Sequence, residues 1–129
     1  MEILFLIGRV LFGGFYLANA FNHFTKANEL TQYAASKKVP MPKEAVLLSG
    51  ALLLTGGIAI LFGVMVPFGV ASVVLFLFVA AFKMHDFWAV SDPMQKIMQM
   101  VLFMRNIGLV GASLMVLAIP QPWPLSFGF

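Results

Sequence analysis

The chain contains no cysteine, and only 10% of its 129 residues are charged. Without cysteine, the chain by itself cannot use a thiolate nucleophile, carry a persulfide, exchange a disulfide or hold a cysteine-ligated cluster. The charged fraction is less than half of the roughly 25% that soluble proteins carry. The first deficit excludes sulfur-based covalent chemistry, and the second argues against a water-facing surface.

Apolar residues replace the missing charge. Hydrophobic side chains make up 61% of the chain, against roughly 45–50% in soluble proteins. The length suits a single domain, and a soluble domain of this size would expose much of that apolar surface to water. We therefore interpret residues 1–129 as one integral membrane domain, with the lipid bilayer as its first partner.

Four apolar segments predict an all-α fold. Each approaches the roughly 20 residues that a helix needs to cross the hydrocarbon core, and none alternates as a barrel strand does. The third is short unless Lys83 and Met84 extend it, and a tight hairpin joins it to the second. The sequence thus predicts an integral membrane four-helix bundle, with spans at about Ile3–Phe21, Ala45–Met65, Phe68–Phe82 and Ile97–Ile119.

The connection from Asn22 to Glu44 predicts a short interfacial helix between spans one and two. Apolar residues recur there at helical spacing, with lysines and other polar side chains around them. Such a helix would bury its apolar stripe in the interface and keep the lysines near the headgroups. The stripe consists of Phe24, Ala27, Leu30, Tyr33 and Ala34.

The lysines predict the orientation in the cell membrane. Four spans place both termini on one face and the first and third loops on the other. Because these two loops hold the basic residues outside the spans, the positive-inside rule makes loops 22–44 and 83–96 cytoplasmic and both termini external. Lysines that flank spans suit lipid headgroups, so we expect no nucleic-acid partner.

Two arginines lie inside the apolar spans, Arg9 in the first and Arg105 in the fourth. An arginine at the bilayer centre costs roughly 2.5–3.5 kcal/mol on insertion scales, so each needs compensation. For Arg9 we favour a structural role, such as snorkelling to the outer face. Arg105 either belongs to a ligand site or has a structural role, capping carbonyls or pairing with Asp86.

Depth along the helices sorts the polar side chains into two layers. Arg9, Ser72 and Ser113 fall near the outer face. The second layer lies in the cytoplasmic half and is rich in donors, which suits a quinone head or a small anion. It contains Asn19, Asn22, His23, Ser49, Lys83, His85, Asp86, Arg105 and Asn106.

His23 and His85, with aspartates near them, raise the alternative of a metal site. Their spacing matches no zinc or di-iron pattern, so we expect no metal and interpret both as interface histidines bonded to backbone. The methionines of the fourth span favour packing over copper binding. The sequence also lacks a nucleotide-binding glycine motif, a nucleophile–base pair and paired carboxylates.

Small residues four apart predict close helix contacts, either within the bundle or in a homo-oligomer. After the fourth span, a proline-rich run cannot be helical, and Trp123 is expected to anchor the chain at the interface. The small pairs are Gly14 with Ala18, Ala59 with Gly63, and Gly108 with Ala112.

Short motifs along nearly the whole chain resemble those of a known family. The strongest is Met84-His85-Asp86-Phe87-Trp88 before Asp92-Pro93, followed by Gln99, Phe103-Met104-Arg105-Asn106, Gly108 and Gly111. Earlier motifs are Gly8-Arg9-Val10-Leu11-Phe12, Val39-Pro40-Met41-Pro42 and Gly56-Gly57 with Gly63. On these motifs the chain resembles the DoxX family of small four-helix membrane proteins.

The resemblance implies a membrane fold and a redox setting. The family takes its name from a subunit of a thiosulfate:quinone oxidoreductase. Its members commonly have asparagine where this chain has Asp86 and lysine where it has Arg105, and many have a glutamate near Leu53. Because no residue set here supports standalone catalysis, we favour an accessory subunit over an enzyme.

Two hypotheses follow. In the first, the protein is a membrane subunit of a redox system that binds a quinone or small anion near the cytoplasmic side, with Phe103 and methionines in the apolar wall. In the second, it is a non-enzymatic anchor or small transporter that recruits a partner protein, such as a redox protein. The ligand-binding residues of the first are His85, Asp86, Trp88, Arg105, Asn106, Asn19 and His23.

Overall fold

The structure, a computed structural model, describes residues 1–128, and Phe129 of the predicted domain lies outside the described residues. It contains five α-helices and one 3-10 turn, and no strand occurs in residues 1–128. The all-α prediction is confirmed, including a short helix between spans one and two. The helices are α1 (Glu2–Thr25), α2 (Ala27–Ser36), α3 (Pro42–Phe62), α4 (Val66–Met84) and α5 (Pro93–Val116), with the 3-10 turn at Phe87–Ala89.

The helices α1, α3, α4 and α5 are each long and apolar enough to cross a membrane. Helix α4 continues through Lys83 and Met84, so the third span is not short. Helix α5 begins at Pro93, earlier than predicted, because Asp92 caps it by accepting the backbone N–H of Gln95 at 2.9 Å. A capping carboxylate followed by proline is a strong helix start that apolar content alone does not reveal.

The connections place two distinct groups of residues at opposite ends of the bundle. One end, called the terminal end, holds the start of α1, the α3–α4 hairpin and the C-terminal tail of residues 117–128. The other, called the α2 end, holds α2 and the 3-10 turn. The predicted tight hairpin is confirmed, since Gly63 ends α3 in the left-handed conformation with φ of 67° and α4 begins at Val66.

Helix α1 packs on α3, α3 on α4, and α4 on α5. Helix α5 lies at the edge of this order. Only 11% of its apolar window is buried, against 39% in α3 and 44% in α4. Its outer face is therefore available to lipid. One buried cluster consists of Tyr16, Ala20, Leu53, Ile60, Val73 and Leu77, and a second consists of Val66, Val70 and Trp123.

Glycines set the approach of α1, α3 and α4. A Cβ atom added at Gly13 would lie 2.9 Å from the Leu61 backbone nitrogen and 3.0 Å from the Gly57 carbonyl oxygen. At the α3–α4 contact, a Cβ at Gly69 would meet the Cβ of Ala59. These backbones can approach so closely only because the side chain is absent.

Two of the predicted small-residue contacts are wrong within the chain. A Cβ atom added at Gly14 or Gly108 would meet nothing within 4 Å. The contact face of α1 passes through Gly13 instead, which lies about 100° around the helix from its neighbour. The spacing identifies a stripe of small residues, but it does not show which of two adjacent glycines faces the neighbouring helix. A homo-oligomer contact at Gly14 stays a prediction.

Arg9 is buried at the terminal end and joins three parts of the chain. Its Nε donates to the Ile60 carbonyl at 3.3 Å and its Nη2 to the Leu61 carbonyl at 2.8 Å. Its Nη1 donates to the carbonyls of Pro124 at 2.8 Å and Leu125 at 3.2 Å. Because the last carbonyls of a helix have no partner within it, the guanidinium satisfies the end of α3 and holds the tail at once.

Trp123 is buried as well, at 3% relative exposure. Its ring meets Phe5 edge-on at 5.1 Å, and the Arg9 guanidinium lies 5.5 Å from the Trp123 ring and 5.7 Å from that of Phe5. The structural role expected of Arg9 is confirmed, but Arg9 does not snorkel and Trp123 is buried in protein rather than anchored in the interface. The tail folds back over the bundle end, so the ring and the charge are satisfied by protein.

We expect Gly13→Ala to destabilise the protein by about 1–3 kcal/mol, since the new methyl group would push apart the α1 and α3 backbones. Gly14→Ala is the matched control, because its methyl group would enter open space. Thermal unfolding in detergent measures both. Equal losses in the two variants would contradict the assigned contact face.

We expect Arg9→Leu to cost at least about 3 kcal/mol, because it leaves several carbonyls without their charged donor. Arg9→Lys should be intermediate, since one ammonium cannot reach all four acceptors. Thermal unfolding and proteolysis of the tail are the measurements. The control is Lys96→Leu at an exposed position, and a wild-type result for Arg9→Leu would refute the bridging role.

Candidate functional site

A cavity of about 450 Å³ lies inside the bundle toward the α2 end, and we call it the central cavity. Its volume falls within the roughly 300–1,000 Å³ of small-molecule sites. All five helices contribute to its wall, so it forms only when the bundle is assembled. Its polar lining residues are Tyr16, Asn19, His23, Tyr33, Ser49, Lys83, His85, Arg105 and Asn106.

The rest of the wall is apolar. Phe15, Phe76 and Leu109 are among the aromatic and aliphatic residues that line it. Leu53 also lines it, at 1% relative exposure, where many members of the family that this chain resembles have a glutamate. The wall at this point therefore offers contact to a hydrophobic ring and no carboxylate.

The structure brings five of the seven predicted site residues to this cavity. They come from α1, from α5 and from the residue that follows α4, which explains their separation in the sequence. The Nδ2 of Asn19 is engaged within its own helix, where it donates to the Phe15 carbonyl at 2.8 Å. The five lining residues are Asn19, His23, His85, Arg105 and Asn106.

Asp86 and Trp88, the other two, lie outside the lining of the central cavity. Helix α4 ends at Met84, so the residues after His85 leave the face that it presents to the interior. Trp88 is 52% exposed and packs with Phe82 and Phe103 in an outer aromatic cluster. Of the expected apolar wall of Trp88, Phe103 and methionines, Met84 lines the cavity, whereas Trp88 and Phe103 do not.

Asp86 pairs with Lys37 rather than with Arg105. The Lys37 Nζ lies 2.8 Å from the carboxylate, and the two side chains are 21% and 28% exposed. Beside this pair, Tyr33 donates its hydroxyl to the Met84 carbonyl at 3.3 Å. Both contacts tie α2 to the end of α4, next to the cavity.

The charge of the cavity is positive. Lys83 and Arg105 line it, and the lining residues include no aspartate or glutamate. The Arg105 guanidinium donates from Nε and Nη2 to the Asn106 side-chain oxygen at 3.4 and 3.3 Å. No carboxylate within residues 1–128 forms an ion pair with Arg105. Its charge is therefore available to a ligand.

Asn106 supplies a second donor. It is 3% exposed, and its side-chain nitrogen has no acceptor among the residues that the structure describes. In the same part of the chain, no fully enclosed polar side-chain atom is left without a partner. The Asn106 nitrogen is therefore not fully enclosed by the protein, and it is a free donor on a residue that lines the cavity.

The two histidines differ in their partners. His23 contacts the Val46 carbonyl at 3.3 Å through Nδ1, as expected of a histidine bonded to backbone, and its ring meets Phe76 edge-on. His85 instead uses Nδ1 to contact the Gln99 side chain at 2.9 Å, so the expected backbone bond is wrong there. Within residues 1–128, no group of three or more metal-ligating side chains occurs.

Sequence reasoning missed several polar contacts of the interior. Tyr16 and Ser113 lie 3.0 Å apart through their hydroxyls and are both fully buried. Tyr33 was expected to contribute only to the apolar stripe of α2, and Gln99 was not assigned a partner. A tyrosine inside an apolar span is itself a signal, because its hydroxyl needs a hydrogen-bond partner once buried.

A comparison with protein families matches the chain over residues 4–86 to the model described as DoxX. The match covers more than half of the chain, from α1 to the residue that follows His85. Arg105 and Asn106 lie beyond its end, so their place in the cavity rests on the geometry. Comparisons with curated proteins and with solved structures gave no significant match.

We expect Lys37→Met to loosen α2, because it removes the partner of Asp86. The pair is partly exposed, so its loss should cost only about 0.5–1 kcal/mol. Hydrogen exchange of residues 27–36 should accelerate by roughly 2–5-fold. Lys38→Met is the matched control, since Lys38 is exposed. Unchanged exchange in the Lys37 variant would show that the pair does not hold α2.

Proposed function

Since the match over residues 4–86 shows that the chain belongs to the DoxX family, we propose that it is a membrane subunit of a redox system whose central cavity binds a quinone or a small anion. Family and helices together make it a multi-pass membrane protein in contact with lipid. The redox setting is what the family resemblance implies. The lining of the central cavity supports the choice of ligand.

The donor-rich lining of the central cavity is the observation that carries the proposal. Arg105, Asn106 and Lys83 supply N–H groups, and no carboxylate among the lining residues competes for them. Carbonyl and anionic oxygens are the acceptors that such groups bind, most strongly when the donor is charged. The lining therefore supports a ligand that presents oxygen acceptors.

Of the two proposed ligands, a quinone or a small anion, the apolar part of the wall favours the quinone. A quinone head is a flat ring with two carbonyl oxygens, and it needs hydrophobic contact around a few polar groups. Phe15, Phe76 and Leu109 supply that contact, while Arg105 and Asn106 supply the polar end. An inorganic anion would use the donors alone and leave this apolar wall without a partner.

The position of the cavity supports access from the lysine-bearing side. It lies toward the α2 end, next to the loops that carry the lysines. If those loops are cytoplasmic, as the positive-inside rule predicts, the ligand binds near the cytoplasmic side. The isoprenoid chain of a bound quinone would extend toward lipid.

The exposed face of α5 favours a second candidate function, a membrane anchor or small transporter that recruits a partner protein. Met98, Val101 and Met104 on this helix are 53%, 59% and 63% exposed. Purification in mild detergent separates the candidates. Quinone in an organic extract of the pure protein supports the redox subunit, and a stoichiometric membrane-bound partner protein without quinone supports the anchor.

We expect Arg105→Ala to weaken the binding of decylubiquinone at least about ten-fold, because a charged hydrogen bond to a carbonyl oxygen is lost. Calorimetric titration of the purified protein measures this, and thiosulfate titrated in parallel tests the small anion. Circular dichroism establishes that the variant is folded.

Lys96→Ala is the matched control, since Lys96 lies on the same helix, is exposed and does not line the cavity. It should bind the quinone as the wild type does. Unchanged affinity in the Arg105 variant would remove Arg105 from the site. Loss in both variants would mean that general positive charge, not the cavity, attracts the ligand.

A further inference from the structure

The central cavity contains hydrogen-bond acceptors as well as donors. Both His23 and His85 line it, and both use Nδ1 for a contact within the protein. The position of the proton on each ring decides what the remaining nitrogen, Nε2, offers to a ligand. The hydrogen-bond partners determine that position, because carbonyl oxygens can only accept.

At His85, a chain of three hydrogen bonds determines which ring nitrogen carries the hydrogen. The Tyr33 hydroxyl donates to the Met84 carbonyl, so its oxygen accepts from the Gln99 side-chain nitrogen at 3.5 Å. The Gln99 side-chain oxygen therefore faces His85, with 2.9 Å between Oε1 and Nδ1. An amide oxygen has no hydrogen to give, so Nδ1 of His85 carries one.

At His23 the same result comes from different partners. The Ser49 hydroxyl donates to the Val46 carbonyl at 2.8 Å, so its oxygen is left to accept. The Nδ1 of His23 lies 2.8 Å from that oxygen and 3.3 Å from the Val46 carbonyl. Both are acceptors, so Nδ1 of His23 also carries the hydrogen.

A neutral imidazole with its hydrogen on Nδ1 has a lone pair on Nε2. Neither Nε2 has a hydrogen-bond partner within residues 1–128. No fully enclosed polar side-chain atom of these residues lacks a partner, so neither Nε2 is fully enclosed by the protein. The cavity thus combines these two acceptors with the donors Arg105 and Asn106.

We propose that the central cavity prefers the reduced, hydroxyl-bearing form of a quinone, with His85 and His23 accepting hydrogen bonds from its hydroxyl groups. The inference rests on the proposed function. A quinone carbonyl facing an Nε2 lone pair places two acceptors together, which is unfavourable. A quinol hydroxyl donates to Nε2 and still accepts from Arg105 or Asn106.

Gln99 and Tyr33 are positioning residues in this arrangement. Gln99 holds the hydrogen of His85 on Nδ1, and Tyr33 orients the Gln99 amide. Gln99 does not line the cavity, so its influence on a ligand passes through His85. A change at Gln99 should therefore alter the preference between quinol and quinone more than it alters the binding of quinone.

The test compares two probes, decylubiquinol and decylubiquinone, on the full-length protein in nanodiscs without oxygen. Calorimetry should show that the wild type binds the quinol about ten-fold more tightly, the factor that one hydrogen bond contributes. His85→Phe should reduce this preference, because it removes an acceptor that binds a quinol hydroxyl and that disfavours a quinone carbonyl.

Two variants at Gln99 keep the test informative even if the His85 variant does not fold. Gln99→Leu should lower the quinol preference, and Gln99→Glu should retain it, because a carboxylate still accepts from Nδ1. Equal binding of quinol and quinone by the wild type, or a preference unaltered in both His85→Phe and Gln99→Leu, would overturn the inference alone. If the wild type binds neither decylubiquinol nor decylubiquinone, the result would also overturn the quinone as the ligand in the proposed function.

Discussion

Close backbone contact between α1, α3 and α4 is the constraint on which the rest of the structure depends. Lipid gives apolar helices little reason to associate, so contact relies on small residues that let backbones meet. Gly13, Gly57 and Gly69 provide it, and those on α3 and α4 lie toward the terminal end. The opposite end is spanned by larger side chains and by α2, and there the central cavity forms.

The two arginines inside the spans have opposite roles, because one lies at the closely packed terminal end and the other lies beside the central cavity. Arg9 lies where the chain closes, and four carbonyl oxygens surround its guanidinium. These carbonyls and the Phe5 and Trp123 rings offset part of the cost of burying a charge that no carboxylate neutralises. Arg105 lies on the peripheral helix beside the cavity, where its only side-chain partner among the described residues is Asn106. Arg9 therefore stabilises the fold, and the guanidinium of Arg105 remains available for hydrogen bonds to a ligand.

Much of this architecture could be predicted from the sequence, because hydrophobic periodicity and span length are local properties. The four spans, the hairpin and the short helix follow from them. Contacts between residues that lie far apart in the sequence do not follow from these local properties. Arg9 meets Pro124 and Lys37 meets Asp86 across 115 and 49 positions, and no local pattern encodes either pairing. Five predicted site residues line the cavity, whereas Asp86 and Trp88 do not, since their place depends on where α4 ends.

Hydrogen-bond direction distinguishes ligands that charge alone cannot. A positive, donor-rich cavity suits a quinone, a quinol and an inorganic anion alike, because all three present oxygen acceptors. The Nε2 lone pairs of His23 and His85 suit only a ligand that also carries hydrogens to donate. Those lone pairs exist because Ser49 and Gln99 hold the ring hydrogens on the other nitrogen. The proposed selectivity of the cavity therefore depends on Ser49, which lines the cavity, and on Gln99, which lies behind the lining, through the hydrogens that they hold on the two histidines.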